Sequence, residues 1–503
     1  MAGNLYDALL GEAGAEERLL MRDETVGAIS YRDFAEHCAR LGGALVEAGL
    51  KPGDRVAVQA DKSATALALY LAVVRAGGIY LPLNVAYTPA EIEYFLGDAE
   101  PVIFVCDPAK CDALEPVAKA GGAAILTLDP QGKGTLEDAA TVASPLAETS
   151  SRGGSDIAAI LYTSGTTGRS KGAMLSHDNL LSNALTLVDA WRFTSEDMLI
   201  HALPIFHTHG LFVATNVVLA SRASMIFQPK FDPANVLAAM PEATALMGVP
   251  TFYTRLLQQP GLTREATANM RLFVSGSAPL LTETHREWQD RTGHAILERY
   301  GMTETNMNTS NHYDGRRVAG TVGFPLPGVD LRVVDPETGA RLDAEEIGMI
   351  EVRGPNVFSG YWRMPEKTAA EFREDGFFIT GDLGKVDTDG YVHIVGRDKD
   401  LIITGGYNVY PKEVEMEIDA MEDVLESAVF GVAHPDFGEG IVAAVVPKDG
   451  ASLSDQAMIK ALGERLAAYK RPKKIVFVDA LPRNTMGKVQ KNLLRIQFAD
   501  SFA

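Results

Sequence analysis

Cysteine is scarce. Cys38, Cys106 and Cys111 are the only three in 503 residues, too few and too unevenly spaced for a disulfide framework or a four-ligand zinc site. Such usage fits a reducing, cytoplasmic compartment. Positive charge is in deficit: 46 Lys+Arg against 66 Asp+Glu leave a formal net charge of −20. That balance repels polyanions at long range and excludes a general affinity for nucleic acid or an anionic membrane surface. Long hydrophobic runs are missing as well. The most apolar stretch, residues 64–74, ends at Arg75, well short of the roughly 20 residues that span a bilayer. No transmembrane helix is expected. The first twenty residues carry Glu12, Glu16 and Glu17 and lack the basic start, apolar centre and small-residue cleavage site of a secretory signal, so a cytosolic start is expected. Internal repeats, low-complexity tracts and heptads are absent. What remains is a large acidic chain, 46% hydrophobic, with core enough for about two to five compact units.

Through the first 400 residues, helix-period stretches alternate with short β-branched runs such as DRVAVQA (54–60), VIFVC (102–106) and AAILY (158–162). Alternation of that kind predicts a largely parallel α/β sheet flanked by helices. Residues 31–48 and 64–76 carry apolar side chains at three- and four-residue spacing and read as helices laid on a sheet. From Thr321 to Val395 the texture changes to short strands and Gly turns (IGMIEVRG, GYVHIVG), which predicts a small antiparallel or barrel-like subdomain. The polar segment GRDKD (396–400) marks the best boundary, with a small α+β domain of about a hundred residues after it. Between Arg465 and Arg495 nine Lys or Arg face one acid, Asp479. A solvated face explains such a run as readily as a polyphosphate dock.

The strongest local signal is YTSGTTGRSKG (162–172), directly after a strand-like run. Its glycines permit close backbone approach, its hydroxyls donate and Lys171 adds a cation, which suits a loop wrapped around phosphates. It is not a Walker loop, because Lys171 is followed by Gly172 instead of Ser or Thr. No nucleophile elbow appears either. Ser277 in SGSAPL has Ser275, not Gly, two residues before it, which disfavours a hydrolase. His207 and His209 (FHTHG) have the look of a metal pair but lack a third ligand nearby in sequence. Taken singly, Asp382 reads as a turn aspartate, Lys488 as a surface lysine and Glu304 as a helix-start residue. Their order along the chain is what makes them informative.

That order resembles the adenylate-forming superfamily of acyl-CoA synthetases, adenylation domains and luciferases. YTSGTTGRSKG is similar to its phosphate motif, YGMTE (300–304) to its aromatic and magnesium motif, TGD (380–382) to its ribose motif and PRNTMGK (482–488) to the motif with the catalytic lysine. The resemblance covers almost the entire chain. It implies an N-terminal adenylation domain over 1–397 with parallel-rich sheets and a small β-barrel-like subdomain. A small mobile C-terminal lid over 398–503 would turn about a hinge at Asp398. ATP or AMP would be held by Thr163, Ser164, Gly165, Thr166, Thr167, Gly168 and Lys171. Gly276, Ser277, Ala278, Glu298, Arg299, Tyr300, Gly301, Met302 and Thr303 would surround the nucleotide, and Asp382 and Arg397 its ribose. Lys488 and Glu304 are the implied catalytic pair, Glu304 as the Mg²⁺ ligand. Gly405, Gly406 and Tyr407 would form the coenzyme A channel, with Lys470 and Arg471 as candidate phosphate contacts.

The acid is a separate question. A fatty acid needs a long apolar tunnel, whereas a small dicarboxylate needs one buried cation for the carboxylate that does not react. Arg255 in VPTFYTRL and Arg286 in THREW are the candidates, and either equally suits a structural ion pair. The strings HALPIFHTHGLF, LMGVPTFYTRLL, VSGSAPLL and ERYGMTETNMNTSN together look like the malonyl-CoA synthetase group. That likeness implies malonate, and methylmalonate as a smaller perturbation, with Arg255 and Ser277 at the free carboxylate and His207, Thr208 and Met307 at the walls. Small molecules (malonate, ATP, coenzyme A) are the implied partners, together with a lysine acyltransferase acting on Lys488. Competing expectations are a ligase for short-chain or aryl acids, a module that loads a carrier protein and, remotely, a luciferase-type oxygenase.

Overall fold

The computed structural model describes residues 3–163, 170–405, 407–463, 465–484 and 487–502. The chain divides into two compact units, Met1–Asp330 with Val352–Phe378, and Leu331–Glu351 with Ile379–Ala503.

Among the described residues the first unit holds two sheets. The six-stranded sheet runs in the order Ala124–Thr127, Ile103–Cys106, Arg55–Gln59, Ile79–Pro82, Ile157–Thr163, Lys171–Ser176. Its pairs are parallel until the last, an antiparallel hairpin. The nine-stranded sheet orders Phe324–Pro325, Asn306–Ser310, Leu297–Met302, Leu272–Ser275, Ala245–Gly248, Met198–His201, Ser224–Phe227, Leu19–Asp23 and Gly27–Ser30. It is parallel in the middle and antiparallel at both ends. The strands and helices read from hydrophobic periodicity thus fall in place, and local chemistry sets their ends. Ser30 and Asp33 form a capping box at the start of helix Tyr31–Glu47, and Ser63 caps Ala64–Arg75. That second helix is apolar all round, and every residue from Ala64 to Val74 is buried, as such a helix requires. No described helix is long and apolar enough to cross a membrane.

The second unit carries a four-stranded sheet, Asp330–Val334, Gly348–Arg353, Phe378–Val386, Val392–Arg397 in linear order, whose strand ends at 330, 352–353 and 378 fall to the first unit. Its other sheet orders Tyr407–Val409, Ile402–Thr404, Gly438–Pro447 and Val424–His434, with Lys474–Phe477 parallel on Gly438–Pro447. The compact units do not follow the 397/398 boundary. Leu401 and Tyr410 pack against Val334, Met349 and Leu383, which draws the four-stranded sheet into one cluster with the C-terminal segment.

Candidate active site

The hairpin Ile157–Thr163/Lys171–Ser176 presents the phosphate-type loop, with Thr163 and Lys171 paired at its two feet. Ser164, Gly165, Thr166, Thr167 and Gly168 lie outside the described residues. Beside the hairpin runs the segment 359–362. Ser359 N–H donates to Met174 O (2.9 Å), Met174 N–H to Gly360 O (2.9 Å) and Trp362 N–H to Gly172 O (2.7 Å). Gly172 is required for that approach, since a Cβ there would lie 2.9 Å from Ile160 Cγ2 and 3.3 Å from Trp362 Cβ.

This pairing sets Tyr361 against strand Lys171–Ser176, bridged to Ala173. Its hydroxyl lies 2.7 Å from Glu371 Oε2 and 3.1 Å from Glu304 Oε1, and with one proton it donates to one carboxylate at a time. Lys171 Nζ lies 3.1 Å from Glu371 Oε1 and 4.1 Å from the Tyr361 ring. Burial works to raise the Glu371 carboxyl, but bonds from Lys367, Tyr361 and Lys171 win and hold it below its usual range. Burial, then the facing Glu304 charge, pushes the Tyr361 hydroxyl up. Glu304 is itself buried. No group of three or more Asp, Glu, His or Cys is placed to hold a metal ion among the described residues. A magnesium ion shared with substrate phosphates needs only one or two carboxylates, so this donor set fits it.

Strand Leu297–Met302 runs antiparallel to Asn306–Ser310, with Gly301 opposite Met307. A Cβ at Gly301 would fall 1.8 Å from Asn306 O, so only glycine fits there. Tyr300, Met302 and Thr303 are half-buried beside it. The Glu298 carboxylate is engaged by His285 Nδ1 and Gly320 N–H, each 3.2 Å from Oε1, which makes it a support of this strand pair.

Arg299 is the notable charge. Only 3% exposed, it lies over the backbone of Gly276, where a Cβ would sit 2.4 Å from its Cζ. Its Nε and Nη2 meet no acceptor among the described residues. Burial lowers it to about 9. Around it, Ser277 (φ 71°) places Oγ 3.4 Å from His209 Nδ1. His209 is fully buried and driven well below the ordinary histidine value by burial, then by the Arg299 charge. His209 Nε2, Thr208 Oγ1 and Ser275 Oγ are buried and likewise without partners among the described residues. His207 accepts from His209 N–H at 3.3 Å. The Met307 backbone is fixed by Asn183 and Asn356 amides, at 2.9 and 3.2 Å from its carbonyl oxygen, and its side chain is buried.

Arg255 does not join this group. Helix Pro250–Leu257 buries Phe252, Tyr253, Leu256 and Leu257 and turns Arg255 to solvent. Arg286 is exposed too. The buried cation of this group is Arg299, which the family resemblance puts at the nucleotide. Its signal was the charged pair Glu298–Arg299 inside the otherwise apolar run AILERYGM. Ser275 and Thr305, buried with unpartnered hydroxyls among the described residues, had no sequence signal.

In the second unit, Asp382 and Arg397 face each other across Phe378–Val386 and Val392–Arg397 and form an ion pair at 2.6 Å. Thr380 Oγ1 accepts from Asp382 N–H at 3.0 Å and donates to Ile350 O at 2.8 Å. The turn Asp398–Asp400 follows at once. Burial, then the positive Arg397, lowers Lys399 to about 8, and Lys488 adds to the effect. Lys488 is exposed, its backbone N–H held by Asn484 Oδ1 at 2.9 Å. Gly405 adopts φ 56°, Gly406 lies outside the described residues, and Tyr407 is exposed and stacked on Tyr469 with ring centroids 4.7 Å apart. Lys470 pairs with Glu413 at 2.5 Å, and Arg471 donates to the carbonyls of Gly463 and Leu466.

The chain is similar to known proteins over nearly its whole length. Residues 13–362 match the AMP-binding enzyme family and 413–488 the AMP-binding enzyme C-terminal domain. A malonate–CoA ligase of Arabidopsis thaliana is 34% identical over 97% of this chain and 84% of its own. A feruloyl-CoA synthase of an Amycolatopsis species is 35% identical over 94% of each. Among solved structures, ATP-bound MatB from Rhodopseudomonas palustris is 63% identical over 99% of both chains, with a TM-score of 0.98. A benzoate CoA ligase from Burkholderia xenovorans LB400 is 27% identical over 98% of this chain and 99% of that one, with a TM-score of 0.89. The chain belongs to the AMP-binding enzyme family, whose two parts it carries in order.

Proposed function

We propose that the chain ligates malonate, and methylmalonate as a second acid, to coenzyme A in two steps. One carboxylate attacks the α-phosphorus of ATP, giving malonyl-AMP and pyrophosphate. The thiol of coenzyme A then attacks the acyl carbon, giving malonyl-CoA and AMP. The observation that carries the choice of acid is Arg299, a buried guanidinium with two donating atoms unpartnered among the described residues, beside Ser277 and His209. Burying an unpaired charge costs several kcal/mol, and a second carboxylate on the acid offsets that cost with a bidentate pair. Benzoate or ferulate leaves the cation unpaired, which disfavours the aryl reading. Thr208, His207 and Met307 then bound the space for a 2-substituent.

The rest of the site has the parts the first step needs. Attack on phosphorus moves negative charge toward pyrophosphate, so positioning and cations matter more than covalent help. Thr163 to Gly168 with Lys171 would hold the β- and γ-phosphates, Tyr300 would stack on adenine between Gly276–Ala278 and Gly301–Thr303, and Asp382 with Arg397 would take the ribose. Glu304 would hold Mg²⁺, which when bound supplies positive charge to the phosphates. Lys488 would supply it at the α-phosphate. Rotation about Asp398 would then withdraw Lys488 and bring Gly405, Gly406 and Tyr407 to the thiol, with Lys470 and Arg471 near the nucleotide of coenzyme A. Exposure of Lys488 supports its acylation by a lysine acyltransferase as a switch, because an acyl group removes the charge adenylation uses. Free cysteines at 38, 106 and 111 support a cytoplasmic setting.

The test is AMP formation from ATP and Mg²⁺, with and without coenzyme A, across malonate, methylmalonate, succinate, acetate, benzoate and octanoate. Coenzyme A-dependent turnover greatest with malonate supports the reading. Preference for a monocarboxylate overturns the choice of acid.

A further inference from the structure

Lys62 has no place in the chemistry above, yet it is buried and specifically held. It leaves the turn between strand Arg55–Gln59 and helix Ala64–Arg75, and its Nζ lies 2.9 Å from His201 Nδ1 and 2.6 Å from the His201 carbonyl oxygen. His201 is the last residue of strand Met198–His201. A turn of the six-stranded sheet is therefore tied to a strand end of the nine-stranded one. On its other side, His201 Nε2 lies 2.9 Å from Gly210 O and 3.3 Å from Thr215 Oγ1, whose own proton goes to that carbonyl.

A carbonyl oxygen only accepts, so Nε2 carries a proton. Burial, then the neighbouring Lys62, disfavours the imidazolium, which leaves that single proton on Nε2 and Nδ1 to accept from the Lys62 amine, itself driven well below its ordinary value by burial. Both ends of the ring thus specify the same tautomer. The Gly210 carbonyl also receives the Thr215 hydroxyl at 3.0 Å and the Thr215 N–H. It sits in a π-helical turn, His209–Ala214, a rare local winding that needs such support. Position 210 is pressed against Pro204, where a Cβ would lie 2.1 Å from the carbonyl oxygen. Immediately before it come Thr208 and His209: Thr208 Oγ1 and His209 Nε2 are buried without partners among the described residues, and His209 Nδ1 lies 3.4 Å from Ser277 Oγ.

We propose that Lys62 and His201 are positioning residues of the acid pocket: Lys62 fixes the Nε2–H tautomer of His201, which anchors the Gly210 carbonyl and so sets where Thr208 and His209 meet the acid. The inference rests on the reading of Thr208 and His209 as pocket wall. It makes a pair that hydrogen-bonds to neither Ser277 nor Arg299 among the described residues a determinant of selectivity among 2-substituted acids.

The test compares His201→Phe, His201→Gln and Lys62→Met in the full chain, measuring KM for malonate, methylmalonate, ATP and coenzyme A. A displaced wall in His201→Phe raises KM for malonate about tenfold or more and shifts the malonate to methylmalonate ratio, with KM for ATP and coenzyme A within about twofold. His201→Gln, whose amide N–H reaches near the Nε2 position, recovers most of the loss, and Lys62→Met shifts KM in the same direction as His201→Phe. Equal rises for all three substrates, or a glutamine variant no better than phenylalanine, overturn the proposal. Should His201→Phe fail to fold, Lys62→Met and ¹⁵N NMR of histidine-labelled wild type carry the test. A proton on Nε2 of His201 is expected and one on Nδ1 overturns it. The tautomer does not depend on which acid is used, so its failure is distinguishable from failure of the malonate reading.

Discussion

The guanidinium carbon of Arg299 lies 2.4 Å from the point a Cβ on residue 276 would occupy. Gly276 and Arg299 are therefore a matched pair: the missing side chain on one makes room for the buried charge of the other. Gly276→Ala displaces the guanidinium and is expected to lower kcat/KM for malonate by about 10²-fold, the usual result of an ångström-scale misplacement. Steady-state kinetics with malonate varied at saturating ATP check this, and a loss under about threefold refutes the pairing.

Arg255→Ala, by contrast, alters an exposed residue on the outer face of helix Pro250–Leu257. Kinetics within about twofold of the parent are expected, in line with the small effects of exposed substitutions. A large rise in KM for malonate would return Arg255 to the acid site.

Much of the fold could be read in advance, and the reasons differ by element. Strand Ile157–Thr163 and helix Ala64–Arg75 show themselves because burial on all sides demands continuous apolar sequence. Thr163, Lys171, Glu304, Asp382 and Lys488 could be singled out because each sits in a restricted string. The burial of Arg299 was not legible, since any arginine in an apolar run looks alike until burial is known. The spacing of Phe252, Tyr253, Leu256 and Leu257 does point those residues inward and Arg255 outward, but that helical phase argues only which face is wet. The Lys62–His201 bond joins residues 139 apart in sequence, and no local pattern announces such a contact.

Tyr361 keeps one hydroxyl within reach of both Glu304 and Glu371, donating to one at a time. Tyr361→Phe removes it while keeping the ring over which Lys171 sits. Loss of a hydrogen bond to a charged group costs about 2 kcal/mol, so the Mg²⁺ concentration for half-maximal adenylation is expected to rise by up to about 30-fold. Manganese titration followed by electron paramagnetic resonance, in the presence of ATP, reads the same change without turnover. Unaltered metal dependence by both methods speaks against a link between Tyr361 and the Glu304 site.

Asp419 offers a stability test. Burial raises its carboxyl from 3.8 to about 6, against the bond from Ser427 and the charge of Lys412. Between those two values the folded state binds a proton the unfolded chain lacks, so this group makes stability fall as pH rises through that window. Asp419→Asn keeps an acceptor for Ser427 and removes the charge. Its Tm is expected above that of the parent at pH 8, with the gap closing toward pH 4. A variant less stable than the parent at pH 8 contradicts the sign.

The central claim is that Arg299 reads the carboxylate that does not react. Its most direct test is kcat/KM of adenylation for malonate and for butyrate in the parent and in Arg299→Met, which keeps the bulk and removes the charge. A malonate loss of about 10²–10³-fold, with butyrate unchanged or improved, is predicted from the cost of leaving a carboxylate buried without its partner. Equal losses for both acids would contradict the account and make Arg299 a structural support of the strand pair.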